Sequence, residues 1–382
     1  MRQENSRFEL EEKLKDEING LEYEEELDED ETEETEETPY CADDIRIDQK
    51  MISLYQVFRW IQQGKLNLRP DFQRNFIWNR KKQSLLIESL MLKIPIPAFY
   101  FDEDAEGNRT VIDGLQRLST ISDFLEGKFR LCGLQYLINC NGKRYDELEK
   151  KYQMRIEDTQ LAVNILDAKC PATVKFDVFR RINTGGVPLN SQEVRNVMAN
   201  RRTQEFLLRL SQSESFVKAT RGKIKDNRMG AQELCLRFVT YLVLYDNEHR
   251  NFISFGEMNN LLDNTIIEIN KTDGRILEKL EDDFITSMKR CMSLLGEKAF
   301  SKPNNNSIIN RALFISWSVI LTNRDYSLEW CRKKREKACK LQQKYLQEDT
   351  DYFNAITSST SSKRNMLIQF HYVERILEEL ND

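Results

Sequence analysis

The sequence predicts an α+β protein in which a domain of mixed strands and helices is followed by a mainly helical domain. Strand-like apolar runs are concentrated between residues 98 and 166, whereas the chain beyond residue 200 shows mainly amphipathic helical periodicity. The first 45 residues show neither pattern. We therefore predict an acidic tail over 1–45, a mixed domain over 46–200 and a helical domain over 201–382.

The tail is strongly acidic. Residues 1–45 contain 20 acidic and 4 basic residues, and twelve of the acids lie between Glu22 and Glu37. Such a run repels itself and buries too little apolar surface to offset chain entropy, so the tail is predicted to be disordered. Two roles stay open for it: a solubilising tail, or a nucleic-acid mimic that folds over the basic body and restrains it.

The rest of the chain is basic. Because the whole chain has a net charge of −6 and residues 1–45 contribute −16, residues 46–382 carry +10. This excess favours a phosphate-rich partner such as DNA, although solvated helix faces are often basic too. No apolar run approaches the roughly 20 residues that span a bilayer. With no secretory signal and no Cys-x-x-Cys pair among the eight cysteines, we expect a cytoplasmic protein with reduced thiols.

In the mixed domain, helices and strands are predicted to follow one another closely. Apolar spacing predicts a helix over 54–61 that ends at Gly64. Asn79 is placed to cap a second helix, which ends before Pro95. Further strands are predicted at 98–102, 109–112, 129–131, 136–139 and 161–166, with a helix over 116–125 after the first two.

Beyond residue 172 the pattern turns helical. One helix is predicted over 176–182, and Asn190 and Glu193 are spaced for a capping box at the start of the next. Amphipathic helices are then predicted in the helical domain, including 233–244, 308–321 and 365–380.

The segment Asp113-Gly114-Leu115-Gln116-Arg117 is the most informative local feature. Glycine permits a sharp turn there, and the helix that follows offers N–H groups and a positive dipole end to an anion. Arg117 adds a planar fork for phosphate oxygens, Ser119 and Thr120 add hydroxyl donors, and Asp113 can hold a metal ion or orient water. The same pattern also describes an ordinary connection between a strand and a helix.

Two other polar clusters lie beside proline or glycine in the same domain. They contain Arg69, Gln73 and Arg74, and then Arg180, Arg181 and Asn183. If the fold brings these clusters to the glycine turn, all three can surround one phosphate group.

Four segments resemble a known family in the family's own order. They are residues 72–78 (FQRNFIW), 89–97 (SLMLKIPIP), 111–120 (VIDGLQRLST) and 179–186 (FRRINTGG). Together they resemble the N-terminal domain of GmrSD-type restriction endonucleases, the domain of unknown function numbered 262 (DUF262). The resemblance covers roughly residues 50–200.

The resemblance implies a fold similar to the nuclease-like domain of ParB and to sulfiredoxin. It also implies a modification-dependent restriction or phage-defence protein that uses nucleoside triphosphates. Asp113, Gly114, Gln116 and Arg117 would form the phosphate-facing motif, and Gln73 and Arg74 would lie close by.

Two departures from the family pattern matter. The family motif reads Asp-Gly-Gln-Gln-Arg, and Leu115 stands in the place of its first glutamine. Two-part members carry an HNH nuclease module, which needs clustered histidines. This chain has only His249 and His371, which are far apart, so no HNH module is expected.

These observations support three hypotheses. In the first, the protein is a nucleotide-binding, DNA-associated component of a restriction or phage-defence system, with a nuclease or other defence protein as partner. Arg117 and the turn would then hold a nucleoside triphosphate, and Asp113 and Gln116 would position Mg²⁺ or water, so the enzyme form is a hydrolase. The second is a non-catalytic nucleotide- or DNA-binding switch that acts on a partner protein. The third is an interaction scaffold with a vestigial pocket.

Overall fold

The computed structural model describes residues 20–22, 45–68, 78–182, 189–226, 228–303 and 308–381. These residues form two compact units, which divide between Val197 and Met198. We call residues 45–197 the sheet unit, and residues 198–381 together with residues 20–22 the helical unit. The division lies close to the boundary predicted at residue 200.

The sheet unit alternates strands and helices. In chain order its elements are β1 (Ile47–Ser53), α1 (Leu54–Gln62), β2 (Leu66–Asn67), α2 (Arg80–Met91), β3 (Phe99–Glu103), β4 (Arg109–Asp113), α3 (Leu115–Leu125), α4 (Lys150–Glu157), β5 (Gln160–Leu166), α5 (Ala172–Ile182) and α6 (Ser191–Met198). Two short 3₁₀ helices lie between α3 and α4.

The strands form one sheet of mixed direction in the order β1-β5-β3-β4-β2. β1 runs antiparallel to β5, and β3 runs antiparallel to β4. The pairs β3–β5 and β2–β4 are parallel. A mixed sheet with helices placed along the chain in this way confirms the α+β class predicted from the sequence.

The core of the sheet unit lies between the central strands and the helices α2 and α3. Phe99 and Phe101 of β3, Leu90 of α2 and Phe124 of α3 are completely buried in the same apolar cluster. Burying one such side chain contributes about 1.5–3 kcal/mol. The cluster therefore fixes α3, which follows the predicted phosphate turn, and β3, which packs against it.

Side-chain caps set where several helices begin. Asn79 Oδ1 accepts the Lys82 N–H at 2.9 Å at the start of α2. Before α6, Asn190 Oδ1 accepts the Glu193 N–H and Glu193 Oε2 accepts the Asn190 N–H, both at 2.7 Å. The capping box predicted at this position is thereby confirmed, and the helix predicted over 54–61 is α1.

The strands predicted over 129–131 and 136–139 are wrong. No strand is formed between α3 and α4, a stretch that the structure describes throughout. The N–H groups of Gln135, Tyr136 and Leu137 instead donate to the Glu88 carboxylate of α2, at 3.0, 2.8 and 2.8 Å. A side chain thus satisfies the backbone donors that a neighbouring strand would have satisfied.

Glu88→Gln is expected to destabilise the sheet unit by about 1–3 kcal/mol at neutral pH, because an amide nitrogen cannot accept the backbone N–H bonds. Burial raises the pKa of Glu88, but the three N–H groups outweigh it and leave the pKa below its usual value. The stabilisation from the carboxylate is therefore complete above the unfolded-state pKa of about 4.3 and is lost as the pH falls below it. Urea unfolding of wild type and variant at pH 7 and at pH 3.5 measures this difference, and an equal gap at both pH values would contradict it.

The helical unit confirms the predicted helical character of the second half of the chain. Its elements are α7 (Arg201–Gln212), α8 (Glu214–Ala219), α9 (Gly230–Leu244), a small hairpin of β6 (Tyr245–Asp246) and β7 (Asn251–Phe252), α10 (Met258–Lys271), α11 (Gly274–Leu295), α12 (Arg311–Ile320), α13 (Leu328–Glu348), α14 (Thr350–Ala355) and α15 (Lys363–Asn381). Aromatic side chains fill its core, and the Phe216 ring contacts both Phe284 and Phe314. Across the described ranges, no helix has the length and apolar character needed to cross a bilayer.

Three residues of the tail are ordered, in contrast to the disorder predicted for residues 1–45. Leu21 is only 1% exposed, and the Glu22 N–H donates to Ile309 O at 3.0 Å. The Glu22 carboxylate accepts from Lys302 and from Asn310. Composition could not reveal this site, because one buried leucine and one paired carboxylate change the average character of an acidic tail very little.

The conformation of the ordered tail segment requires glycine at position 20. Gly20 has φ +81°, and a Cβ there would lie 2.1 Å from the carbonyl oxygen of Lys223. The Ile309 N–H donates to Gly20 O at 2.9 Å. The start of the acidic run is thus fixed on the helical unit. A nucleic-acid mimic that restrains the basic body requires such an anchor.

Candidate functional site

The predicted phosphate turn connects β4 to α3. Asp113 is the last residue of β4 and pairs with Tyr100 at the start of β3. Gly114 follows in the left-handed region at φ 98°, ψ 10°. A Cβ at this position would lie 2.3 Å from Cδ1 of the buried Phe99 ring, so both the backbone conformation and the packing require glycine.

Arg117 lies against the segment that leads into β3. Its guanidinium donates to the carbonyl oxygen of Pro97 and to that of Ala98, the latter at 3.1 Å. A further N–H donates to Asp113 Oδ2 at 2.8 Å. The guanidinium carbon also lies 4.4 Å from the centroid of the Phe99 ring. These contacts tie the turn to the chain that leads into β3.

Arg117 is surrounded by protein groups, and its contacts hold the turn and the Asp113 carboxylate in position. Its side chain is 11% exposed, and three of its five N–H hydrogens are used within the protein. Burial lowers the pKa of Arg117, and the Asp113 carboxylate opposes that change. Arginine nevertheless stays charged, so its two remaining N–H groups can still serve an anion.

Asp113 is the accessible charged group of the turn. Its side chain is 34% exposed, and the ion pair with Arg117 holds one of its oxygens in place. Within the described ranges, no group of three or more histidine, cysteine or acidic residues is placed to hold a metal ion. A cation at Asp113 would therefore need ligands from the substrate or from water, as Mg²⁺ commonly has in nucleotide sites.

The N-terminus of α3 has unsatisfied polar groups. No side chain caps this helix, and no described residue accepts the backbone N–H groups of Leu115, Gln116 and Arg117. Gln116 Oε1 is buried and has no hydrogen-bond partner among the residues that the structure describes. A buried acceptor without a donor is costly, so this oxygen and the free N–H groups are suited to a polar ligand.

The two hydroxyl residues predicted to contact phosphate have different surroundings. Ser119 is half-buried in the second turn of α3. Thr120 is completely buried, and its hydroxyl donates to the Gln116 carbonyl at 2.7 Å. The prediction for Thr120 therefore does not fit this placement, because its only hydroxyl hydrogen is used inside the helix.

The other predicted ligand-binding residues are only partly described. Gln73, Arg74 and Asn183 lie outside the described residues. Arg181 is exposed in the last turn of α5. Near the start of that helix, Lys175 Nζ lies 2.5 Å from Asp102 Oδ1. This contact fixes α5 to the end of β3 that leads into the β3–β4 hairpin.

Sequence reasoning missed the groups that hold the turn in place. They are the carbonyl oxygens of Pro97 and Ala98 and the ring of Phe99, all of which contact Arg117. Pro95 and Pro97 indicate only an irregular segment, because proline lacks a backbone N–H; they do not show which side chain binds the carbonyl oxygens there. The pairing of Lys175 with Asp102 had no signal in the sequence.

Comparison with known families identifies the segment that contains this turn. Residues 54–199 match the family model of the GmrSD restriction endonuclease, N-terminal domain. The match supports the family that the four ordered motifs indicated, and it associates the sheet unit with DNA restriction. It ends at residue 199, so nearly all of the helical unit lies outside it.

Two further comparisons gave no match. A search of curated proteins and a search of solved structures each found no match to the chain. The ParB- and sulfiredoxin-like fold implied by the resemblance therefore stays a prediction.

Proposed function

We propose that the sheet unit binds a nucleoside triphosphate at the turn between β4 and α3, as part of a restriction or phage-defence system. The observation that carries the proposal is the uncapped N-terminus of α3 behind Gly114, beside the half-exposed carboxylate of Asp113. A helix N-terminus with free N–H groups binds phosphate readily. The family match supplies the link to restriction.

Different groups of the turn make different contacts with such a ligand. The N–H groups of residues 115–117 bind phosphate oxygens, and the Asp113 carboxylate would hold a Mg²⁺ ion beside them. Arg117 keeps the Asp113 carboxylate oriented and adds positive charge next to the phosphates. A divalent cation supplies charge neutralisation for the phosphates and draws electrons from the terminal phosphorus.

Gln116 is suited to the hydrolytic step. Its Oε1 has no hydrogen-bond donor among the described residues and is closed to solvent; in the proposed complex the side chain turns toward the nucleotide and accepts a hydrogen bond from the attacking water. The water oxygen forms a bond to the terminal phosphorus while the bridging P–O bond to the leaving nucleoside diphosphate breaks; the water proton passes to a phosphate oxygen, and inorganic phosphate is released. Orienting that water is a positioning function that a neutral amide can perform.

The other predicted residues complete the proposed site from neighbouring segments. Lys175 and Arg181 are six residues apart on α5, a rise of about 9 Å, and Asp102 lies about 7 Å along β3 from Tyr100, which pairs with Asp113. If α5 runs back along the sheet from Lys175, Arg181 reaches the end of the sheet where Asp113 lies. Gln73, Arg74 and Asn183 are proposed to approach the phosphates from the two segments outside the described residues.

Asp113→Asn tests the site with little change in shape. In Mg²⁺, the variant is expected to bind ATP, GTP or CTP, whichever the wild type prefers, about 10–100-fold more weakly, and to lose phosphate release in proportion. Isothermal titration and a phosphate-release assay, each with and without DNA, measure the two effects. Asp123→Asn is the matched control, since Asp123 lies on α3, is similarly exposed and pairs with Lys128. Equal nucleotide binding by wild type and Asp113→Asn would overturn the proposal.

One observation favours the second candidate, a non-catalytic switch. Leu115 replaces the first glutamine of the family motif, and its side chain is only 8% exposed within the apolar core. The polar group that the family carries at this position is therefore missing from the turn. Tight nucleotide binding without phosphate release would decide for the switch.

A further inference from the structure

The helical unit has one strongly basic element. Residues 198–382 contain 29 basic and 25 acidic residues, and α13 alone contains seven basic and three acidic ones. The net positive charge of α13 thus equals that of the whole segment 198–382. The positive charge of this half of the chain is concentrated on a single helix.

Four lysines of α13 lie in one stripe. Lys333, Lys337, Lys340 and Lys344 have the i, i+4, i+7, i+11 spacing that places side chains on one helix face, and all four are exposed. The opposite face is buried through Cys331, Ala338, Gln342, Tyr345 and Leu346. The lysine stripe therefore points directly away from the core of the helical unit.

The charges of the stripe remain available to a partner. Lys333 pairs with Glu329 and Lys340 with Glu336, but these side chains are 72–84% exposed, and such surface pairs are weak. Lys337 donates to the backbone carbonyl of Glu379. Lys344 has no ion pair or side-chain hydrogen bond to any described residue.

The dimensions of the stripe fit a nucleic-acid backbone. Its eleven-residue span measures about 16 Å, which corresponds to about five phosphates along one strand of duplex DNA. All the exposed side chains of α13 are polar or charged, and Trp330, beside the first lysine, is half-buried against Tyr326. The face is thus suited to a polyanion and not to a lipid surface.

We propose that the lysine stripe of α13 binds the phosphate backbone of duplex DNA. The proposal rests on the proposed role in restriction, and it assigns DNA contact to the helical unit, which the family match does not cover. Contacts of this kind are independent of base sequence. The stripe would hold DNA in place for whatever unit of the system reads or cuts it.

The test compares two quadruple variants of the full chain. In one, Lys333, Lys337, Lys340 and Lys344 are changed to glutamine. In the control, Lys218, Lys271, Lys279 and Lys289, all exposed elsewhere on the helical unit, are changed to glutamine. Both variants lose the same charge. Fluorescence anisotropy with a labelled 20-base-pair duplex gives the affinity at several salt concentrations.

The stripe variant is expected to bind the duplex at least about tenfold more weakly than the control, and its salt dependence should fall by about 3–4 in log–log slope. Equal affinities and slopes for the two variants would overturn the proposal, as would a wild type that binds anionic lipid vesicles but not DNA. Nucleotide binding, measured on the same preparations, should be unchanged in both variants. If the two variants bind DNA equally while the wild type binds nucleotide, only the DNA-binding role of the lysine stripe is overturned. If the wild type binds no nucleotide, the proposed nucleotide site is overturned instead.

Discussion

Gly114→Ala is expected to destabilise the sheet unit by about 2–5 kcal/mol. Alanine in the left-handed region costs about 1–2 kcal/mol, and forcing extra volume into a packed core adds about 1–3 kcal/mol. Both terms apply, because Gly114 has φ 98° and its added Cβ would lie 2.3 Å from the Phe99 ring. The ring is completely buried and has little room to move. Urea unfolding followed by circular dichroism measures the loss.

Gly107→Ala separates the two contributions. Gly107 lies in the hairpin between β3 and β4 with φ +79°, but a Cβ there meets no atom within 4 Å. We expect Gly107→Ala to lower the free energy of unfolding only by the cost of the left-handed backbone conformation, about 1–2 kcal/mol. Equal losses for the two variants would show that the Phe99 ring moves aside and that close packing behind the turn is not required.

Arg117→Met is expected to destabilise the sheet unit by about 2–4 kcal/mol, because it leaves two carbonyl oxygens without a donor and Asp113 without its counter-charge. Methionine preserves much of the apolar stem that lies over Phe99. Arg130→Met is the control, since Arg130 is half-exposed and its ion pair with Glu147 lies at the surface, where such pairs contribute little. Urea unfolding of both variants gives the comparison, and similar losses would contradict the buried role of Arg117.

The expected loss in Arg117→Met also affects how activity measurements are interpreted. A variant that loosens the turn would lose nucleotide binding even if Arg117 never touched a phosphate. Stability therefore has to be measured beside activity for any change at position 117. Asp113→Asn avoids much of this difficulty, because its amide oxygen can still accept the hydrogen bond from Arg117.

Local signals predicted the framework of the site well. The hairpin of β3 and β4, the glycine break and α3 each follow from short-range patterns of apolar spacing and turn residues. The capping box at Asn190 is equally local. Such features depend on residues three or four positions apart, and for that reason sequence reasoning reached them.

Long-range partners could not be predicted in the same way. Arg117 was expected to face phosphate, yet carbonyl groups about twenty positions earlier in the chain accept its N–H groups. The segment that looked like strands before α4 is held by Glu88, nearly fifty positions away. Leu21 and Glu22 likewise bind residues near 309. These contacts depend on the packed fold, and no pattern in a short window encodes them.

Hydrogen exchange at the backbone N–H groups of Leu115, Gln116 and Arg117 is the most direct test of the proposed nucleotide site. These amides lack a protein acceptor among the described residues, so bound phosphate should slow their exchange. With saturating nucleoside triphosphate and Mg²⁺, we expect clear protection at residues 115–117 in the wild type and much less in Asp113→Asn. Unchanged exchange at these amides, with nucleotide bound and protection elsewhere in the chain, would contradict the assignment of the site to this turn.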